Sequence, residues 1–374
     1  MRKFLKGWRP LLAAITVVLI GASSLMVGDG APVSAAKEVH AVAGGGEAGI
    51  AVNVFSPASL VVNPGDTVTW TNPYTEPHSV SYLAAGDTAL ADDLAPINPE
   101  AAAAFDGSET FSSGLFASAG MFAGEGEFSV TFETAGAYTF FCSIHPGMEV
   151  TVSVVNGVNP PPIDEAAIEE RIADGLALGL AAADALEVPG PKTAADGTKV
   201  WTIPTPPTVP YEGSVIDVLR FKPAEVNIGV GDKVTWENTS FTPHTVTFIV
   251  GPPPEGFSPF VPDVSSTNYE PGTFLNSGIF VNDEVGAFFG GVGESFSLTF
   301  GTPGTYQYIC ALHADSGMVG VINVGGGGGG ITPPDTGDAG LLDQSSGSWM
   351  MLAGAVMFLA SFVAGSVVVI RKDA

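Results

Sequence analysis

Five histidines and two cysteines occur in 374 residues, and four of the histidines and both cysteines fall into two sets of one form. In the first set His78 follows Pro77, and far downstream come Cys142, His145 and Met148. In the second set His244 follows Pro243, and far downstream come Cys310, His313 and Met318. Each set offers a thiolate, two imidazoles and a thioether. Soft sulfur selects copper, and two histidines with one cysteine in a trigonal plane, completed by a weak axial methionine, form a blue-copper electron-transfer site. The mixed donors suit both Cu(I) and Cu(II), so little rearrangement accompanies the exchange of an electron. Three donors on one short loop are placed by local chain geometry, whereas the fourth arrives from a distant strand and depends on the fold. The metal itself holds the cysteine as thiolate. Thioether is a poor zinc ligand, which argues against zinc. Taken singly, a buried cysteine or methionine is ordinary core filler. Two complete sets with matched spacing are not. A Cys142–Cys310 disulfide would have to join the two halves of the chain. The remaining His40 reads as solvent-exposed and carries no role.

The elements that position these donors repeat as well. Pro57-Ala58 recurs as Pro223-Ala224, and Gly65-Asp66 through Asn72 recurs as Gly231-Asp232 through Asn238, at an offset of 166. Phe128 through Phe132 recurs as Phe296 through Phe300, and Gly136, Tyr138, Cys142 and His145 recur as Gly304, Tyr306, Cys310 and His313, at an offset of 168. The register slips only between blocks, as expected of loops, so the chain is a duplicated module. Short alternating runs such as Val68-Thr69-Trp70 and Phe128-Ser129-Val130, bounded by Gly, Pro, Asn and Asp, predict a β-sandwich. Tyr138 and Tyr306 stand where Greek-key sandwiches often place a corner tyrosine. Residues 84–127 and 250–295 lack regular pattern and read as long loops. Between the modules, residues 164–187 predict a helix capped by Asp164, with Ile168, Ile172, Leu176 and Leu180 four apart. Pro189 to Pro210 reads as a Pro-rich tether, and Gly325 to Gly330 as a flexible stalk.

The two modules resemble cupredoxins, most closely the amicyanin and plastocyanin group. The resemblance rests on Val68 through Asn72 with Pro77-His78 and on Tyr138 through Met148. In the second copy it rests on Val234 through Asn238 with Pro243-His244 and on Tyr306 through Met318. The first ligand loop has amicyanin-like spacing and the second plastocyanin-like spacing. The departure is the long stretch between histidine and cysteine, 63 residues in one copy and 65 in the other. The resemblance implies two type 1 copper ions per chain, with His78, Cys142, His145 and Met148 on one and His244, Cys310, His313 and Met318 on the other. It implies that Cys142 and Cys310 couple the metal to the strand, and that Met148 and Met318 are long axial ligands that tune the potential. His78 and His244 would be the more buried imidazoles, and His145 and His313 the ones nearer the surface, where electrons enter and leave. Asn72 and Asn238 either brace the loops by hydrogen bonds or are plain turn residues.

The expected architecture is all-β: two Greek-key cupredoxin sandwiches joined by a helical and Pro-rich linker, with a C-terminal transmembrane helix. The boundaries are 1–35 signal peptide, 48–156 first module, 157–211 linker, 212–325 second module, 326–348 stalk, 349–370 membrane helix and 371–374 cytoplasmic tail. Arg2, Lys3, Lys6 and Arg9 precede the apolar stretch of the signal. Trp349 to Ile370 is long enough to span a bilayer, and Arg371-Lys372 after it keeps the C-terminus inside. The modules then work outside the cytoplasm, at the cell surface. Pro333-Pro334-Asp335-Thr336-Gly337 resembles a sortase signal but has Pro333 in place of leucine, so a retained anchor is the simpler reading.

Composition removes other functions. The net charge is −26, with 13 basic against 39 acidic residues, which repels nucleic acid and either steers toward redox partner proteins with basic surfaces or serves solubility alone. The glycine runs lack the Lys-Ser/Thr of a phosphate loop. With four histidines spent on the two sites, His40 alone cannot build a catalytic copper cluster or a Ser-His-Asp triad. The expected protein is therefore an electron carrier and not an enzyme. The same donors also allow copper binding for storage, delivery or sensing without relay, and a third reading keeps the sandwiches for adhesion alone.

Overall fold

The computed structural model describes residues 36–120, 122–238, 240–282 and 291–325. The signal, stalk, membrane helix and tail read from the sequence lie outside the described residues, and among the described residues no helix is long and apolar enough to cross a membrane.

Nine strands precede the linker: β1 (Glu38–Glu47), β2 (Ile50–Ser56), β3 (Ser59–Val62), β4 (Thr67–Thr71), β5 (Ser81–Tyr82), β6 (Phe111–Ser112), β7 (Glu127–Thr131), β8 (Gly136–Phe141) and β9 (Glu149–Val154). Of these, β1 comes before the expected start of the first module at 48 and pairs with β4. Helix α1 (Glu165–Ala185) follows. The remaining strands are β10 (Lys192–Thr193), β11 (Lys199–Pro204), β12 (Val209–Tyr211), β13 (Ser214–Val218), β14 (Glu225–Gly229), β15 (Lys233–Glu237), β16 (Thr247–Phe248), β17 (Leu275–Asn276), β18 (Ser295–Thr299), β19 (Gly304–Ile309) and β20 (Val319–Gly325).

Each module has two sheets. One sheet runs β3-β9-β8-β5-β6, and its counterpart runs β14-β20-β19-β16-β17. Alternation along β9 turns Val150, Val152 and Val154 inward. Trp70 on β4 and Trp236 on β15 are fully buried at the centres of two separate cores, to which Cys142 and Cys310 respectively belong. The repeated Gly-Asp is a turn with a purpose. Gly65 and Gly231 take φ 89° and 88°, a conformation open to glycine at little cost. Asp66 and Asp232 then accept backbone N–H groups from Asn63 and Lys37, and from Gly229 and Lys199. Each carboxylate thereby ties its turn to the start of a neighbouring strand. Both corner tyrosines donate to a carbonyl four residues upstream, Tyr138 to Thr134 at 3.0 Å and Tyr306 to Thr302 at 2.9 Å.

The region between the modules is more ordered than a tether. Strands β10, β11 and β12 lie inside the stretch 157–211. Trp201 and Ile203 of β11 are buried, and β11 pairs in parallel with β15 just as β1 pairs with β4. Helix α1 starts where Asp164 accepts from the Ala167 N–H at 3.2 Å. Its inner face is Ile168, Gly175, Gly179 and Ala183, while Leu180 is exposed. The two glycines allow the closest approach, because a Cβ on Gly179 would fall 2.4 Å from Ile50 and one on Gly175 would fall 2.6 Å from Val52.

The modules are joined by backbone. Strand β13 pairs antiparallel with β2 (Val215 to Asn53, Ile216 to Val52, Asp217 to Ala51, Val218 to Ile50), which gives one six-stranded sheet, β12-β13-β2-β1-β4-β7. Helix α1 covers that junction, and Ile50, Val52, Val54, Ala183, Ile216 and Val218 form a third apolar cluster there. The modules are therefore joined by strand pairing and an apolar cluster, and not by the linker alone.

Candidate metal centres

The donors sit where strands end. Cys142 follows β8 and Cys310 follows β19. The loop after each closes on itself: Cys142 N–H donates to the Met148 carbonyl at 2.9 Å and Met148 N–H to the His145 carbonyl at 3.1 Å. The second loop repeats this, with Cys310 to Met318 at 3.0 Å and Met318 to His313 at 3.1 Å, around a 3-10 turn at Ala314–Ser316. The distant histidines are held by the long segment that precedes the cysteine. His78 exchanges both backbone hydrogen bonds with Phe116, and His244 does so with Phe280. Those segments thus build the wall that carries the histidine.

In both modules the donors converge. Nδ1 of His78 lies 3.1 Å from Nδ1 of His145, and Cys142 Sγ lies 3.8 and 3.4 Å from them. Nδ1 of His244 lies 3.2 Å from Nδ1 of His313, and Cys310 Sγ lies 3.8 and 3.3 Å from them. Each trio is buried and close enough to share one ion. Met148 and Met318 are buried in the same cores. Each thiolate receives one backbone N–H at 3.4 Å, from Ser79 and from Thr245. Two nitrogens and one sulfur with no carboxylate among them are the donors that copper favours, so the residues fit that metal.

Within each trio the charges favour a thiolate beside an imidazolium, and the imidazolium gives up its proton when it binds a metal. Burial alone would raise the Cys142 and Cys310 thiols, but His145 and His313, with His78 and His244 behind them, hold both well below the ordinary range. Burial would lower His313, yet the Cys310 thiolate and then Glu76 push it up to about 9. His145 is raised well above its ordinary value, against burial, chiefly by Cys142 and then Glu76. His78 and His244 are lowered, mainly by burial.

Asn72 and Asn238 are clamps. Asn72 Nδ2 donates to the carbonyls of Glu76 and Phe116 at 2.7 and 3.0 Å, and Asn238 Nδ2 to those of Thr242 and Phe280 at 2.8 and 3.0 Å. Both are fully buried. Each ties the loop before a site histidine to the strand pairing with it. His40 is exposed, as expected.

His78 and His244 are the more buried imidazoles, at 1% exposure each, but His145 and His313 are covered as well, at only 6% and 5%. In a lone module the end of the ligand loop would face water. Here the β13–β2 junction brings the second module over it. Gly147 touches Gly213 so closely that a Cβ would fall 1.9 Å from the Gly213 carbonyl oxygen. Thr75 and Ser316 hydroxyls meet at 2.6 Å. Two acids missed by the sequence reading lie in this interface: Glu76, 3.3 Å from His145 Nε2 and 3.5 Å from His313 Nε2, and Asp217, 3.7 Å from His145 Nε2. The only sequence signal for Glu76 was an acid two residues before a site histidine, at a position that is threonine in the other copy.

Gly44 offers a local test. It has φ 78°, and a Cβ there would fall 2.0 Å from His78 Nε2. Gly44→Ala should therefore rotate or displace that ring and weaken metal binding in the first module by roughly tenfold or more, leaving the second module unchanged. Metal titration of the two modules separately checks this. Equal affinities would show that the ring does not rest on Gly44.

Two sandwich modules with paired His-Cys-His sites define a metal-binding β-protein of duplicated form. A sequence profile described as copper binding proteins, plastocyanin/azurin family, matches residues 42–155 and 209–325. The chain belongs to that family. It is 34% identical to chloroplastic plastocyanin of Physcomitrium patens over 28% of this chain and 51% of that one. It is 32% identical to plastocyanin A'/A'' of Nicotiana tabacum over 28% of this chain and 88% of that one. The chain thus spans about half the length of the first relative and most of the second. Among solved structures it matches a purple cupredoxin from Nitrosopumilus maritimus at 24% identity and TM-score 0.20, over 33% of this chain and 98% of that one.

Proposed function

We propose that the chain is a two-site blue-copper electron carrier working with redox partner proteins. The observation that supports this most is the recurrence of one buried His-Cys-His convergence, with donors within 3.8 Å, in both modules. On this reading His78, Cys142, His145 and Met148 hold one type 1 ion, and His244, Cys310, His313 and Met318 hold the other. Copper bound there supplies exchange of a single electron between its two oxidation states. The residues of the chain do the rest. The N–H groups of Ser79 and Thr245 stabilise thiolate. The asparagine clamps keep the donor-bearing segments from moving, so that little reorganisation accompanies the change of charge. The acidic composition suits basic partners. The signal and membrane span read from the sequence would put the modules at the outer face of a cell membrane.

Copper storage or delivery calls for donors that a receiving protein can reach. All six nitrogen and sulfur donors are at most 6% exposed, which favours the carrier. The test is titration of the purified protein with Cu(II), followed by metal counting, visible absorption and EPR. Two equivalents with intense thiolate-to-copper absorption are expected. A colourless, copper-free product would reject the reading.

A further inference from the structure

The outer edges of the two sites meet at groups that the repeat does not share. At the repeat offset, Glu76 corresponds to Thr242 and Asp217 to Ala51. Ala51 and Asp217 are also register partners across the β2–β13 junction. The modules thus meet about a local two-fold relation, and the two acids break it. Glu76 is 4% exposed, with Oε1 3.3 Å from His145 Nε2 and Oε2 3.5 Å from His313 Nε2. Its Oε2 has no hydrogen-bond partner. Asp217 is 2% exposed and lies 3.7 Å from His145 Nε2. It is fixed there by Asn53 Nδ2 at 2.7 Å and Thr242 Oγ1 at 2.5 Å. Among the described residues, Glu76 is the carboxylate within ion-pair distance of His313.

A carboxylate buried between two modules is costly, and well-packed apolar side chains would serve cohesion as well or better. Its placement against both ring edges points to work on the sites. A ring that binds metal through Nδ1 carries its proton on Nε2. A carboxylate accepting that proton's hydrogen bond fixes the ring's orientation and raises its basicity as a ligand. Nearby negative charge also favours the more highly charged state of a bound ion.

Resting on the assignment of both trios as copper sites, we propose that Glu76 is a positioning residue shared by the two sites. Its one carboxylate anchors the outer edges of His145 and His313 together. Asp217, 3.7 Å from His145 Nε2 and with its charge also felt at His313 and His244, adds negative charge to both sites. Since both oxygens belong to one group, a change at either ring is felt at the other.

The test uses full-length chains with one site each, Cys310→Ser for the first module and Cys142→Ser for the second. Glu76→Gln should raise both potentials, and Asp217→Asn should shift them in the same direction. A purely structural role would lower the melting temperature and leave both potentials in place. A second readout needs no redox chemistry: in the Zn(II)-loaded protein, Glu76→Gln should shift the ring N–H proton resonances of both His145 and His313. If that variant does not fold, Glu76→Asp keeps the charge but shortens the reach, and should move at least one ring resonance. Potentials and ring resonances indifferent to Glu76 overturn the proposal. A chain that binds no copper instead overturns the carrier reading, whereas full loading with unmoved potentials overturns the shared carboxylate alone.

Discussion

Cys142→Ser is expected to remove one of the two coppers and about half of the thiolate-to-copper absorption, because that band belongs to the Cu–S bond. Cys310→Ser should do the same for the other module, and the double variant should be colourless. The fold should survive each change. Cys142 and Cys310 belong to separate cores. Serine there costs about 1–3 kcal/mol for a buried hydroxyl with poor partners. The remaining site should keep its copper, since its donors all come from its own module. Metal counting and visible spectra of the three variants check this. Loss of both coppers from a single variant would show that the modules cannot hold metal independently.

Ile216→Asp should have the largest effect on stability. Ile216 is fully buried at the junction, paired with Val52 and clustered with Ile50 beneath α1. Removing such a side chain costs about 2–5 kcal/mol, and a carboxylate with no donor in that apolar cluster adds a penalty of its own. The expected result is a sharp fall in melting temperature with separation of the modules. Both sites should still take up copper if each core folds alone. His145 and His313 would then become accessible to solvent, which hydrogen exchange and spectral pH dependence would report. Ile216→Val, which keeps most of the volume, should cost under about 1.5 kcal/mol. An unchanged melting temperature for the aspartate variant would mean that β13 and β2 do not pair in solution.

The donors and their grouping were legible in the chain because ligand chemistry is carried by residue type and by short spacing. Cys142 to Met148 and Cys310 to Met318 are local. The recurrence of the Pro-His pair supplied the fourth member of each set. The helix at 164–187 was legible from its cap and apolar spacing, and the corner tyrosines from their place after glycine. Strand β11 was passed over because prolines surround it, although Trp201 and Ile203 alternate with Val200 and Thr202 as a half-buried strand should.

What the sequence determined by itself was the duplication, the candidate donors in each copy and the metal that such a donor set prefers. Only the tertiary structure decided that the two sites face each other, that His145 and His313 are covered, and that Glu76 and Asp217 stand between them. The physical reason is that self-comparison finds what two copies share, whereas a contact between copies is made where they differ. Glu76 answers to Thr242 and Asp217 to Ala51, so no repeat marks either acid. They are brought to the same spot by the pairing of β2 with β13, two strands far apart in the chain whose edges carry no local sign of their partner.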